Sequence, residues 1–195
     1  MTSDEHPTST QRLGVDQAPK GLSVVQDLLN TAGMTVAPLP DLLADETTAQ
    51  SAVDASMRTW GEQTGQTPAR ISISPQDLPA LRELRDQVRG WLTGEAQDSA
   101  PSRLAVDISF RGDRFEYEPQ GGGAAAVASL VLMEALLAAR TGTLARLKIC
   151  RNPACGAAFY DLSRNSARVW HDMKTCGNVM NLRASRARRK DPSAT

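Results

Sequence analysis

Aromatic side chains are scarce in this chain, with three Trp, three Phe and two Tyr among 195 residues. Apolar residues reach 41%, enough for a core, but that core must be aliphatic and rich in alanine. Long hydrophobic runs are missing as well. None approaches the roughly 20 residues that span a bilayer, so no membrane association is expected. The first ten residues, MTSDEHPTST, hold no apolar stretch of the kind that marks a secretory signal, and a cytoplasmic location is expected. Signatures of catalysis are also lacking. No paired acids, nucleophile–base set or cofactor loop stands at a telling spacing, so the chain is not expected to be an enzyme. Gly121-Gly122-Gly123 precedes an apolar helical pattern. No Lys-Ser/Thr follows it and no strand pattern fit for a parallel sheet precedes it, which argues against a phosphate loop.

The length suits one domain with a small appendage, or two small domains. Residues 1–20 are polar and rich in Pro, Thr and Ser, the composition of a disordered segment. Residues 21–145 read as a mostly helical body. Leu22, Val25, Leu28 and Leu29 recur at helical spacing and predict a first helix ending near Asn30, whose side chain suits a C-cap. Val53, Met57 and Trp60 predict a second helix from Thr47 to about Gln63, with Gly61 and Gly65 making its end ambiguous. Ser74, Pro75 and Asp77 form a capping box ahead of a third, striped by Leu78, Leu81, Leu84, Val88, Trp91 and Leu92 and stopped at Gly94. Residues 95–102 read as a loop. Leu104, Val106 and Ile108 alternate with polar residues, and Arg111–Arg114 separates them from Phe115-Glu116-Tyr117, the pattern of a β-hairpin. Residues 124–140 are apolar nearly all round, which predicts the central buried helix. The fold class is therefore α+β: a helical body with one hairpin, followed by a small module at 146–190 and a tail at 191–195.

A net charge of zero conceals a strong asymmetry. Residues 141–190 hold eleven Lys/Arg against Asp161 and Asp172, a net of +9, and the rest of the chain carries −9. Such a split suggests a polyanion-binding end on an acidic body.

All three cysteines lie at this basic end, with one of only two histidines. Cys150 and Cys155 have four residues between them, as do His171 and Cys176, and fifteen residues separate the pairs. Short-spaced pairs let two knuckles supply two ligands each to a tetrahedral zinc ion. Cytosolic cysteines stay reduced, so their clustering favours a metal over disulfides. Asn152-Pro153 suits the turn that aims the first pair of sulfurs inward. Four protein ligands close the coordination sphere, so the expected ion is structural. Phe159, Trp170 and Met173 read as a mini-core around the metal, and Gly177 as the tight exit from the second knuckle. Asp161 and Ser163 read as caps of a short helix that aligns Arg164 and Arg168.

The string Phe159-Tyr160-Asp161-x-Ser163-x-Asn165-x-x-Arg168-x-Trp170, followed by Met173 and Cys176-Gly177-Asn178, resembles the CGNR zinc finger. That finger usually follows an ABATE domain, described as a stress-induced transcription regulator of bacteria, and Leu22 to Thr31 resembles the start of that domain. The resemblance runs from about residue 21 to 189. It departs from the family at three positions: His171 stands where the family has Cys, Val179 where it has Arg, and Asn181 where it has Lys. The expected function is a DNA-binding transcriptional regulator with one structural zinc. The alternative is a zinc-stabilised protein-interaction or small-ligand-binding module. The expected partner is duplex DNA, contacted by Arg164 and Arg168 in the finger and by Arg183, Arg186, Arg189 and Lys190 on a C-terminal helix. A homodimer and a small-molecule effector of the body are compatible with this reading. Val179 and Leu182 are expected to pack that helix back on the finger.

Overall fold

The computed structural model describes residues 6–95 and 104–190. Most of the 95–102 loop, residues 1–5 and the 191–195 tail lie outside these. Five helices dominate: α1 (Leu22–Asn30), α2 (Glu46–Thr64), α3 (Leu78–Thr93), α4 (Gly123–Arg140) and α5 (Asn178–Lys190). Strands β1 (Val106–Arg111) and β2 (Arg114–Pro119) pair antiparallel, as do β3 (Leu147–Ile149) and β4 (Ala158–Tyr160). The α+β class is as expected, with a second small hairpin that forms the floor of the module.

Local chemistry fixes the helix ends. Asp45 caps α2 by accepting from the Thr48 amide at 2.9 Å. The helix runs through Gly61, where a Cβ would meet Pro68 at 2.4 Å, and stops at Gly65, whose φ of +70° few other residues tolerate. The capping box ahead of α3 is present, with Asp77 Oδ2 accepting from the Ser74 amide at 2.9 Å. Its other oxygen, Oδ1, accepts from the Ala124 amide at 2.8 Å, at the N-terminus of α4. A Cβ on Gly123 would lie 2.2 Å from that oxygen. At least this part of the triple glycine thus admits a carboxylate of the protein itself to the helix N-terminus, in keeping with the expected absence of a phosphate loop.

The central helix is α1, not α4. All nine residues of α1 are buried, including Ser23, Gln26, Asp27 and Asn30, whereas α4 leaves Leu136 and Leu137 exposed. By length and composition α4 could cross a bilayer, but over half of it is buried in the body. Periodicity does not tell the two helices apart, because Gln26, Asp27 and Asn30 of α1 are paired rather than solvated. Buried polar groups need partners, and these three have long-range ones, whereas the Ser23 hydroxyl has none among the described residues. Gln26 accepts from the Ala18 amide at 2.5 Å and donates to Asp16 O and Ala158 O. Asp27 accepts from the Thr10 amide at 3.1 Å, and burial raises its carboxyl above the usual range.

These contacts overturn the expectation of disorder over the described part of residues 1–20. Thr8, Ser9, Thr10 and Ala18 are buried, and Gln11–Leu13 forms a turn of 3-10 helix. The segment is a strap bound by the polar side of α1. Its polar composition serves that side, which is why composition alone suggested disorder. Arg12 completes the tie, donating to the carbonyls of Asn30, Ala32 and Pro40 just past the end of α1.

A second polar clamp joins α2, α4 and the first hairpin. Glu134 is 4% exposed; its Oε1 accepts from Trp60 Nε1 at 2.5 Å and from the Tyr117 hydroxyl. Burial and the adjacent carboxylate push the Tyr117 hydroxyl upward. Gly21 is obligatory beneath it, since a Cβ there would lie 1.9 Å from the carboxylate.

Candidate metal centre

The module grows directly from the body. Leu147, Ala158 and Tyr160 belong to the same core cluster as α1, α3 and α4. Asn30 is not a simple C-cap. Its Oδ1 accepts from the Ala158 amide at 2.8 Å and its Nδ2 donates to Ala158 O at 3.0 Å, so one side chain pairs with β4 as a neighbouring strand would. Arg89 adds a bond to Gly156 O at 2.8 Å, and the Thr35 and Val36 amides both donate to Ala154 O. Replacing Asn30 with alanine should strand the buried Ala158 amide and cost roughly 2–4 kcal/mol. Urea denaturation would measure it; a loss under about 0.5 kcal/mol would refute the clamp.

Between β3 and β4 lies the first knuckle. Asn152, 1% exposed, shapes it: its carbonyl accepts from the Cys155 and Gly156 amides, and its Oδ1 accepts from the Ala154 amide. Its Nδ2 reaches across to Cys176 Sγ at 3.3 Å, an outer-shell bond to a ligand atom that sequence reading missed. The second knuckle is a single π-helical turn, Met173–Gly177, capped by Asp172, which accepts from the Thr175 amide at 2.7 Å. Gly177 serves close packing rather than an unusual backbone angle: a Cβ would lie 3.0 Å from Trp170 Cδ1 and would displace the exposed Met173 side chain.

The two knuckles bring all four predicted ligands together. The donor atoms of Cys150, Cys155, His171 and Cys176 lie within 4.8 Å of one another. Sulfurs about 2.3 Å from a common zinc would stand about 3.8 Å apart in a tetrahedron, so the set fits. Cys155 Sγ and His171 Nδ1 are 3.3 Å apart. All three cysteines are free and buried. Their crowding shows in their acidities. The hydrogen bond with Cys155 pulls the Cys150 thiol down, and the same bond together with burial pushes Cys155 up. A divalent cation removes that conflict by favouring thiolate at all three cysteines.

Phe159 is buried beside this cluster and Trp170 packs partly against it, as expected, but Met173 is 55% exposed and lies outside the mini-core. The short helix expected around Arg164 and Arg168 is also absent. Asp161, fully buried, instead organises a loop. It accepts from Lys148 Nζ at 2.7 Å and from the Ser163 and Arg168 amides at 2.9 Å each. Ser166 takes a φ of +47°, which interrupts any helix there. The Lys148 ammonium and these hydrogen bonds outweigh burial and hold the Asp161 carboxyl well below the usual range. Arg164 stays exposed. Arg168 is committed: its guanidinium lies 5.3 Å from the Phe159 ring centroid and donates to His171 O. It positions the finger.

Beyond Cys176 the chain enters α5, where Arg183, Arg186, Arg188 and Arg189 are exposed. Among the described residues no carboxylate pairs with any of them. Val179 and Leu182 are 40% and 51% exposed, so the helix does not fold back on the finger as expected. Arg188 joins the basic surface although the stripe read from sequence omitted it.

Residues 146–189 match the family described as the CGNR zinc finger. No curated protein matches the chain. With the four-ligand cluster, this match assigns one structural zinc ion to the site, held by Cys150, Cys155, His171 and Cys176. His171→Cys should keep zinc, since thiolate is an equal or better ligand. His171→Ala should weaken it by more than the roughly 10–100-fold typical of losing an outer-shell partner. Competition with a chromophoric chelator would read both, and wild-type affinity in His171→Ala would remove His171 from the site.

Proposed function

We propose that the protein is a non-enzymatic, cytoplasmic regulator of transcription that docks on duplex DNA. The single observation that carries this reading is α5, a helix with four exposed arginines that begins two residues after a zinc ligand. The metal fixes where the helix starts and leaves its cations free for phosphate. The ABATE-like body is then the sensing half. Arg164, Arg183, Arg186, Arg189 and Lys190 are the proposed backbone contacts, with Arg188 added and Arg168 reassigned to positioning. Fluorescence anisotropy with a labelled duplex across a salt series tests it. Binding should weaken steeply with salt, by about 0.9 log units per log unit of salt for each phosphate contacted.

One observation favours the alternative, a zinc-stabilised interaction or small-ligand module. A groove of about 390 Å³ runs between body and finger, lined by Met34, Val36 and Leu39 on one side and by His171, Val179 and Arg183 on the other. Failure to bind duplex even at low salt would transfer the function to this groove.

A further inference from the structure

We infer that the protein forms a two-fold homodimer in which the first hairpin of each copy lies on α4 of the other. Two bare apolar surfaces on the same chain carry the inference. The first is the hairpin. Ile108 pairs with Tyr117 and Phe110 with Phe115 across the strands, so all four side chains share one face. Tyr117 anchors that face to the body through Glu134 and an edge-on contact with Trp60. Towards the turn no described residue covers it: Ile108, Phe110 and Phe115 are 60%, 62% and 66% exposed, with the two Phe rings 5.0 Å apart. An anchored ribbon whose inward face runs on past its own body has the shape of an arm.

The second surface is on α4. Leu132, Met133, Leu136 and Leu137 stand one turn apart in two pairs and form one patch, the last two exposed and the first two half-buried. The hairpin of the same chain leaves this patch bare. Its base is held to α4 by the Ala105 amide donating to Ser129 Oγ and by Tyr117 meeting the buried Glu134, and Leu136 and Leu137 stay exposed beside it.

Charge limits where two copies can meet. Outside residues 141–190 the chain carries a net −9, so two bodies carry like net charge. Between Gly123 and Ala139 the only ionisable residue is Glu134, and it is buried. This is where two acidic bodies can meet without facing charges. A two-fold axis makes the contact reciprocal, each arm filling the patch that the other leaves bare, so both surfaces are covered at once and the assembly closes. Such a dimer also presents two copies of α5, though the inference does not depend on DNA.

The test uses the full zinc-loaded chain and no nucleic acid. Light scattering after size exclusion should give twice the 21.0 kDa chain mass. Phe110→Glu with Phe115→Glu, and separately Leu136→Glu with Leu137→Glu, should each give the monomer mass. Phe110, Phe115 and Leu136 are more than half exposed and Leu137 is 40% exposed, so zinc content and helicity should not change. A photo-crosslinking amino acid at position 110 should yield a covalent dimer joined to the peptide containing α4. A wild-type monomer at micromolar concentration would overturn the proposal. So would a dimer that survives both double substitutions, a crosslink confined to one chain, or a monomer that sediments with lipid vesicles, which would make the arm and α4 a membrane-binding face.

Discussion

Stripping the zinc with a strong chelator, or replacing Cys176 with serine, should lower the melting temperature by more than about 10 °C and abolish duplex binding. The size of the effect follows from where the site sits. Structural zinc in isolated finger peptides binds with an apparent free energy of about 10–16 kcal/mol, far above any single hydrogen bond. For a chain of this size each kcal/mol lost shifts the midpoint by roughly 2–4 °C, so about half of that energy gives the expected shift. Nor should the loss stop at the module. Leu147, Ala158 and Tyr160 are part of the body's core, and Ala158 is a partner of Asn30 and Gln26. When the knuckles open, the polar side of α1 loses bonds that justified its burial. Hydrogen exchange should therefore show full loss of protection at 150–157 and 171–190, a partial loss in β3, β4 and α1, and little change in α2. Zinc-free protein with unchanged melting and exchange would show that the metal is incidental to the fold.

How much of this was legible beforehand divides along sequence distance. The ligands could be read because each pair is five positions apart and the chemistry of zinc limits what such pairs can mean. The capping box at Ser74 and the hairpin at 106–119 are equally local. What failed was long-range. Asn30 does end α1 as expected, but its side chain looked like a C-cap because its partner Ala158 lies 128 residues away. Residues 6–20 looked disordered because their binding site is the polar side of a buried helix, and no composition rule counts such a side as adhesive. Arg164 and Arg168 looked like one helical face until Asp161, neutralised by Lys148, took up the Ser163 and Arg168 amides and bent the chain into a loop. The all-round apolar character of α4 does not mean burial on every side, since Leu136 and Leu137 are exposed.

Changing Arg183, Arg186, Arg189 and Lys190 together to glutamine should leave zinc content and helicity intact while removing most duplex affinity. Helix formation should survive because glutamine is nearly as good a helix former as arginine or lysine, and because Arg183, Arg186 and Arg189 are exposed with no carboxylate paired to them among the described residues. The start of α5 is set elsewhere, by the capped turn and the ligand at Cys176. What changes is the electrostatic work of docking. Each cation that meets a phosphate releases condensed counterions, so losing up to four contacts should flatten the slope of log affinity against log salt by up to about four units. Arg164 and Arg188 remain and should keep a residual slope. The family's cation is missing at Val179, which begins the exposed apolar side of α5 and also lines the groove against the body. Restoring it with Val179→Arg should therefore steepen the slope by about one unit if this helix lies along the backbone. An unchanged slope in both the fourfold variant and Val179→Arg would mean that α5 is a solvated end, whatever the affinity, because counterion release responds to charge at the interface and to nothing else on the protein.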